Sequence, residues 1–241
     1  MTPAGERLIE IAALSKDYHG LRPLRIETLT LAAREQLAIL GLDRPMAETF
    51  INLVTGATLP DRGVVTIFGR ASSSIEDSAE WLAAVDRFGI VSERAVLLDA
   101  LSVIQNLCIP FTLQIEPPPD GIRQQAESLA REVALEESVW LRPVEELAAA
   151  GRLRLRVGRA LALDPQVLLL DHASAGLPTD EAASIGTLLR QIASRRACAL
   201  IAVTADTEFA AAVASRVLTL EPATGRLIDR RGSLMKRLFG R

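Results

Sequence analysis

The stretch that most restricts the fold is VLLLD at residues 167–171, in which four apolar residues precede one aspartate. A short, continuous apolar run of this kind is typical of a central parallel strand that is buried on both faces. Asp171 would leave that strand at the edge where open α/β sheets gather their ligands. It is therefore a candidate ligand for a hard cation such as Mg²⁺, which prefers oxygen ligands and accompanies nucleotide phosphates. The alternative is an aspartate that only caps the following turn.

The apolar runs and turn residues predict an α/β chain in which strands and helices alternate. Strands are predicted at 8–14, 24–31, 36–40, 64–69, 87–91, 167–171, 199–204 and 216–221. Helices are predicted at 45–54, 102–109, 122–134, 144–163, 180–194 and 206–214, with 72–84 helical or irregular. The break EPPPDG at 116–121 suggests a helical subdomain at about 92–155 inside a single domain of residues 1–241. A short basic tail follows at about 230–241.

Composition excludes some classes of function. The formal net charge of −3 gives no electrostatic basis for binding nucleic acid. Cys108 and Cys198 lie on apolar segments and suit buried thiols in a reducing compartment. No apolar leader or membrane-spanning run is visible, so a cytoplasmic chain is expected. Lys16 and Lys236 are the only lysines, and this scarcity bears on the function.

Several segments resemble the ATP-binding cassette (ABC) transporter ATPases in order and spacing. They are ATLPDRGVVTIFG (57–69), LLDALSVIQNLCIPF (97–111), GRLRLRVGRALALDPQVLLLD (151–171), SAGLP (174–178) and EPATGRLI (221–228). The resemblance covers nearly the whole chain. It implies the ABC-type ATPase fold, which has a mixed, mainly parallel sheet, flanking helices and an inserted helical lobe. It also implies a head-to-tail dimer with two ATP molecules at the interface.

The phosphate loop of this family reads G-x-x-x-x-G-K-[ST], since its backbone N–H groups cradle phosphates and its lysine neutralises them. The aligned stretch here begins at Gly41. Met46 stands at the second glycine, Ala47 at the lysine and Glu48 at the hydroxyl that meets Mg²⁺. Arg44 could reach a phosphate in a different geometry or could be a solvated loop residue.

Other positions depart from the family pattern in the same direction. Ala148, Ala149 and Ala150 replace the serine and glycines of the LSGGQ signature. His172 stands at the expected general base, Glu93 at the glutamine, Pro178 at the loop aspartate and Ala205 at the switch histidine. His172 could serve as a base at neutral pH or could be uninvolved.

The positions that keep the resemblance are the candidate binding residues. Tyr18 stands where the family stacks adenine, although it could equally pack against the first hairpin. Gly41, Arg44 and Thr49 are candidate nucleotide contacts, and Asp171 is the candidate metal ligand.

The departures predict a catalytically inactive, pseudo-ATPase subunit that acts structurally or as a regulator in a transporter complex. No cofactor is expected on that hypothesis, and ATP with Mg²⁺ would bind weakly. The alternatives are a nucleotide-binding sensor, or a subunit with weak or no hydrolysis that couples ATP to export of lipid, lipoprotein or peptide.

The expected partners are a transporter membrane subunit and either an intact ABC ATPase or a second copy of the chain. The family's contact with the membrane subunit implies docking through residues 92–142, on the inner face of the membrane. The tail GSLMKRLFGR could lie on an anionic membrane surface or fray.

Overall fold

The computed structural model describes residues 5–229. The strands are β1 (Arg7–Lys16), β2 (Leu24–Ala32), β3 (Gln36–Leu40), β4 (Arg62–Ile67), β5 (Arg70–Ala71), β6 (Phe88–Val91), β7 (Val167–Asp171), β8 (Ala199–Val203), β9 (Arg216–Glu221) and β10 (Arg226–Asp229). The helices are α1 (Arg44–Val54), α2 (Ser78–Val85), α3 (Val103–Cys108), α4 (Asp120–Glu132), α5 (Ala149–Leu161), α6 (Thr179–Arg195) and α7 (Thr207–Val213). The predicted α/β architecture is confirmed. The predicted basic tail lies outside the described residues.

Two sheets organise these elements. The larger sheet has the order β10-β9-β3-β8-β7-β6, in which β10 pairs antiparallel with β9 and the other neighbours are parallel. The smaller sheet has the order β2-β1-β4-β5 and is antiparallel throughout. Parallel strands need long crossovers, which explains why helices separate β3, β6, β7 and β8 along the chain.

Strand β7 is buried on both faces, as its apolar run predicts. Leu168 and Leu170 face the core formed with α3 to α7, whereas Val167 and Leu169 face the core that contains α1 and the antiparallel sheet. Successive side chains of a strand point to opposite faces, so four apolar residues in a row are needed to fill both cores.

The chain between β6 and β7 is helical and supplies α3, α4 and α5. Ser102 begins α3 with a capping box, in which its hydroxyl accepts from the backbone N–H of Gln105 and the Gln105 side chain accepts from the backbone N–H of Ser102. Helices α3 and α4 lie within the range of about 92–155 suggested for a helical subdomain, whereas α5 extends beyond its end to Leu161. Asn106 is fully buried there, and its amide bonds the backbone of Leu98.

The single helix predicted at 144–163 is wrong. A short 3₁₀ turn occupies Val144–Glu146, Leu147 and Ala148 are extended, and α5 begins only at Ala149. Apolar periodicity continues through the break, so it does not reveal the extended pair. Strand β10 is also absent from the sequence prediction, because this short edge strand has only one half-buried apolar residue, Leu227.

None of the helices in the described range is long and apolar enough to cross a membrane.

Both cysteines should be unreactive in the folded protein. Cys108 and Cys198 are buried, and burial raises the pKa of Cys198 to about 12. Because only the thiolate reacts, we expect neither thiol to be labelled by a disulfide reagent at pH 8, and both to be labelled in guanidinium chloride. Counting released thiols with and without denaturant checks this, and fast labelling of the native protein would contradict it.

Candidate functional site

A cleft of about 250 Å³ lies at the carboxyl ends of β3, β6 and β7. It is formed by the start of α1, the loop after β6 and the end of β7 with the residue that follows it. Its lining residues are Arg44, Pro45, Glu48, Ser92, Glu93, Arg94, Asp171 and His172. Parallel strands bring their carboxyl ends to one edge, where open α/β sheets bind ligands. The topology thus brings together five of the predicted site positions: Arg44, Glu48, Glu93, Asp171 and His172.

The loop from β3 to α1 turns on Gly41 and Asp43. Gly41 has a φ of +92°, a conformation that side chains with a Cβ disfavour. Asp43 caps α1, because its carboxylate accepts a hydrogen bond of 2.9 Å from the backbone N–H of Met46. Pro45 lies in the first turn, where its missing N–H costs nothing. The first turn of α1 is therefore capped by the carboxylate of Asp43.

Two of the predicted phosphate-loop residues point away from the cleft. Ala47 is fully buried in the core beside Phe50. Thr49 donates its hydroxyl to the backbone carbonyl of Pro45 at 2.9 Å, so this hydroxyl serves the helix. At these positions α1 contributes packing and helix stability.

Arg94 is the central cation of the cleft, and sequence reasoning missed it. Its guanidinium pairs with Glu48 on α1 and, at 3.0 Å, with Asp171 at the end of β7. Ser92 also donates its hydroxyl to Asp171 at 3.1 Å. The available signal was the position of Arg94 directly after Glu93, a residue already aligned with a site position. Arg94 thus links the loop after β6 to α1 and to the end of β7.

Arg44 and Glu93 form a second, more exposed ion pair at the mouth of the cleft. Arg44 Nη1 donates to Glu93 Oε2 at 2.9 Å, and the side chains are 66% and 50% exposed. An exposed pair of this kind adds about 0–1 kcal/mol to stability. Arg44 thus lines the cleft while most of its side chain stays exposed to solvent.

A magnesium ion does not fit at Asp171 in this arrangement. The Asp171 carboxylate already accepts from Ser92 and Arg94, and its side chain is only 10% exposed. The guanidinium also engages Glu48, the side chain at the second position where the family would contact the ion. Within residues 5–229, no group of three histidine, cysteine or acidic side chains could hold a metal.

His172 follows Asp171 in a strained backbone conformation. Its φ is +45°, which is uncommon for a residue other than glycine. Its backbone N–H donates to the backbone carbonyl of Val203 at 2.8 Å. Its Nε2 atom is buried without a hydrogen-bond partner. Whether His172 acts as a base or is uninvolved stays a prediction.

A larger cavity of about 620 Å³ adjoins the cleft, and Tyr18 and Pro45 are among its lining residues. Pro45 also lines the cleft, which makes the two spaces neighbours. Tyr18 packs against the core while it lines the cavity, and burial, followed by the negative charge of Asp43, raises the pKa of its phenol. The geometry is compatible with both predictions for Tyr18, adenine stacking and packing.

The remaining predicted positions lie outside the cleft. Ala148 is the residue before α5, and Ala149 and Ala150 form its first turn. A third cavity, of about 330 Å³, lies between this turn and Glu93. Pro178 precedes α6, and Ala205 is exposed between β8 and α7.

The sequence matches the profile of the ABC transporter family over residues 27–175, more than half of its length. The chain belongs to the ABC transporter family. It is 30% identical over 80% of its length to the lipoprotein-releasing system ATP-binding protein LolD of Psychrobacter arcticus, and covers 84% of that protein. It is 31% identical over 89% of its length to the methionine import ATP-binding protein MetN of Brucella abortus, but covers only 57% of that protein.

Solved structures support the same fold. The protein cbiO1 from Clostridium perfringens, described as part of the ABC transporter complex cbiONQ, aligns with a TM-score of 0.80 at 20% identity. That alignment covers 96% of this chain and 92% of cbiO1. The ATP-binding cassette MJ0796, solved as a dimer with ADP and Pi, aligns with a TM-score of 0.74 at 21% identity, over 91% of this chain and 96% of MJ0796. The predicted ABC-type fold is confirmed.

The prediction that the chain is a pseudo-ATPase and not an enzyme is wrong. The relatives that match it are named as ATP-binding proteins of transport systems, and none of these names supports an inactive chain. The prediction gave too much weight to single motif positions. Loss of the lysine at position 47 does not leave the cleft without cations, because Arg44 and Arg94 enter it from other positions.

Replacing Gly41 with alanine should destabilise the fold by about 2 kcal/mol or more, because strain at positive φ adds to a clash. An added Cβ would lie 2.9 Å from the backbone oxygen of Leu220. Gly69→Ala is the matched control, since Gly69 has a φ of +82° but no atom within 4 Å of the added Cβ. Urea unfolding of both variants checks this. If both variants lose the same free energy of unfolding, the clash with Leu220 does not contribute.

Replacing Ala148 with serine should stabilise the protein by about 1 kcal/mol, because Ala148 is the N-cap of α5 and has no side-chain oxygen to cap the free backbone N–H groups of the first turn. Its φ of −63° and ψ of 165° already suit a capping serine. Ala150→Ser, inside the first turn, is the control and should be neutral or slightly destabilising. Thermal unfolding measures both changes. A higher unfolding temperature for Ala150→Ser but not for Ala148→Ser would refute the capping argument.

Proposed function

We propose that this chain is the nucleotide-binding subunit of a membrane transporter and couples ATP to the export of lipid, lipoprotein or peptide. The observation that carries the proposal is the membership of the ABC transporter family together with a cleft at the carboxyl edge of the sheet. The export branch is favoured because the chain spans most of the lipoprotein-releasing relative but little more than half of the methionine importer.

ATP would extend across the two neighbouring cavities. The base would stack on Tyr18 in the larger cavity, and the phosphates would pass Pro45 toward the cleft that contains Arg44 and Arg94. Aromatic faces stack readily on bases, and guanidinium groups bind phosphate oxygens through two donors at once. Hydrolysis would be slow, since the phosphate loop and the LSGGQ signature depart from the family pattern at Ala47 and Ala148.

The helical region would dock on the membrane subunit at the inner face of the membrane. Four apolar side chains in this region are strongly exposed: Val96, Leu98, Leu113 and Leu141. Exposed apolar surface is characteristic of protein interaction sites when it is contiguous, so these side chains are the candidates for the contact. A second copy of the chain or a related ATPase would complete the dimer that the family uses.

Titration calorimetry with ATP, up to millimolar nucleotide, tests the proposal. We expect saturable binding to the full-length protein and a rise in its unfolding temperature, because a ligand that binds only the folded state stabilises it. Tyr18→Ala should weaken binding by roughly tenfold through loss of stacking, whereas Tyr18→Phe, which keeps the ring, should bind normally. The absence of both heat and thermal stabilisation would refute nucleotide binding.

A further inference from the structure

The position of Arg94 suggests a role that no aligned family position assigns to it. We propose that Arg94 is the phosphate-binding cation of the cleft and that Glu48 holds its guanidinium until the phosphate displaces it. The inference rests on the proposed nucleotide-binding function and names the residue that recognises the triphosphate.

The two carboxylates that pair with Arg94 differ in how firmly they are held. Asp171 is anchored at the end of a buried strand, its side chain is 10% exposed, and it is also bonded by Ser92. Glu48 lies on the surface of α1 and its side chain is 53% exposed. The carboxylate of Glu48 can therefore turn into solvent, whereas that of Asp171 cannot.

Because of this difference, Asp171 holds the guanidinium in place, while the contact with Glu48 can be replaced by a contact with another anion. Nη2 of Arg94 stays on Asp171, and Nη1, which now faces Glu48, becomes available to an oxyanion. Arginine keeps its charge and presents its donors in a rigid, planar fork, so a partly fixed guanidinium loses little freedom when it binds phosphate. Glu48 and a phosphate compete for the same donor.

Arg44 is the less suitable cation, although it lines the same cleft. Its partner Glu93 is half exposed, and both side chains extend from the surface without a buried anchor. The cleft contains Arg44 and Arg94 against Glu48, Glu93 and Asp171, so its carboxylates exceed its cations by one. Removal of a carboxylate should therefore raise the affinity for an anionic ligand. The experiment must show whether this gain in affinity depends on Arg94.

A double-mutant cycle between positions 48 and 94 answers this question. Calorimetry would compare the wild-type protein, Glu48→Gln, Arg94→Gln and the double variant, each titrated with ATP and with inorganic triphosphate. Glu48→Gln should bind both ligands about tenfold more tightly, and Arg94→Gln at least tenfold more weakly, because a charge-assisted contact is gained or lost. In the Arg94→Gln background, Glu48→Gln should give no gain.

Two further variants control for charge and for folding. Glu80→Gln removes an equally exposed carboxylate that pairs with Arg70 outside the cleft, and it should leave both affinities unchanged. Arg94→Lys keeps a positive charge beside Asp171 but lacks the planar, forked donors of a guanidinium. It should bind both ligands with an affinity between those of the wild-type protein and Arg94→Gln. Each variant is compared by its unfolding temperature, and Arg94→Lys replaces Arg94→Gln in the cycle if the latter does not fold.

The possible failures of the two proposals are distinguishable. If the wild-type protein binds ATP and Arg94→Gln binds equally well, the role of Arg94 is refuted and the proposed function stands. A gain from Glu48→Gln that persists without Arg94 also refutes that role, since it would reflect the general charge of the cleft. If neither the wild-type protein nor Glu48→Gln binds ATP or inorganic triphosphate, both proposals fail.

Discussion

The fold is built around β7, which is buried on both faces. Its four apolar residues join the core beneath the antiparallel sheet to the core that contains the later helices. An isolated strand could not bury both faces, so the neighbouring strands and helices must close around it. Asp171, at its end, is thereby held at the carboxyl edge of the sheet with little access to solvent. The position of the cleft follows from this packing.

The cleft is stabilised by opposite charges from α1, the loop after β6 and the end of β7. A largely buried carboxylate is costly without a partner, and Asp171 obtains two, the hydroxyl of Ser92 and the guanidinium of Arg94. The same guanidinium contacts α1 through Glu48, so the electrostatic balance of the cleft also links the helix to the strand. A ligand with phosphate groups would have to exchange with these internal acceptors. Binding and local structure are therefore coupled in this cleft.

Motif positions were a weaker guide to activity than to fold. Met46, Ala47 and Glu48 replace the residues that the family uses at its phosphate loop, and this led to the incorrect prediction of a pseudo-ATPase. A comparison position by position assumes that each charge must come from one place in the chain. The structure brings Arg94 from the loop after β6 to the end of β7, which supplies a cation that the alignment does not contain.

The sequence was sufficient to predict the α/β class, the buried strand that ends in Asp171 and the family, because these depend on apolar periodicity and on segments of fixed order. It also predicted Arg44 and Glu93 as site residues, but not their ion pair. The folded structure was needed to reveal the pairing of Arg94 with Asp171, which lies 77 residues away. It likewise decided that Leu147 and Ala148 are extended before α5. Such features depend on which loops meet at the sheet edge and on local backbone angles, and residue patterns along the chain encode neither directly.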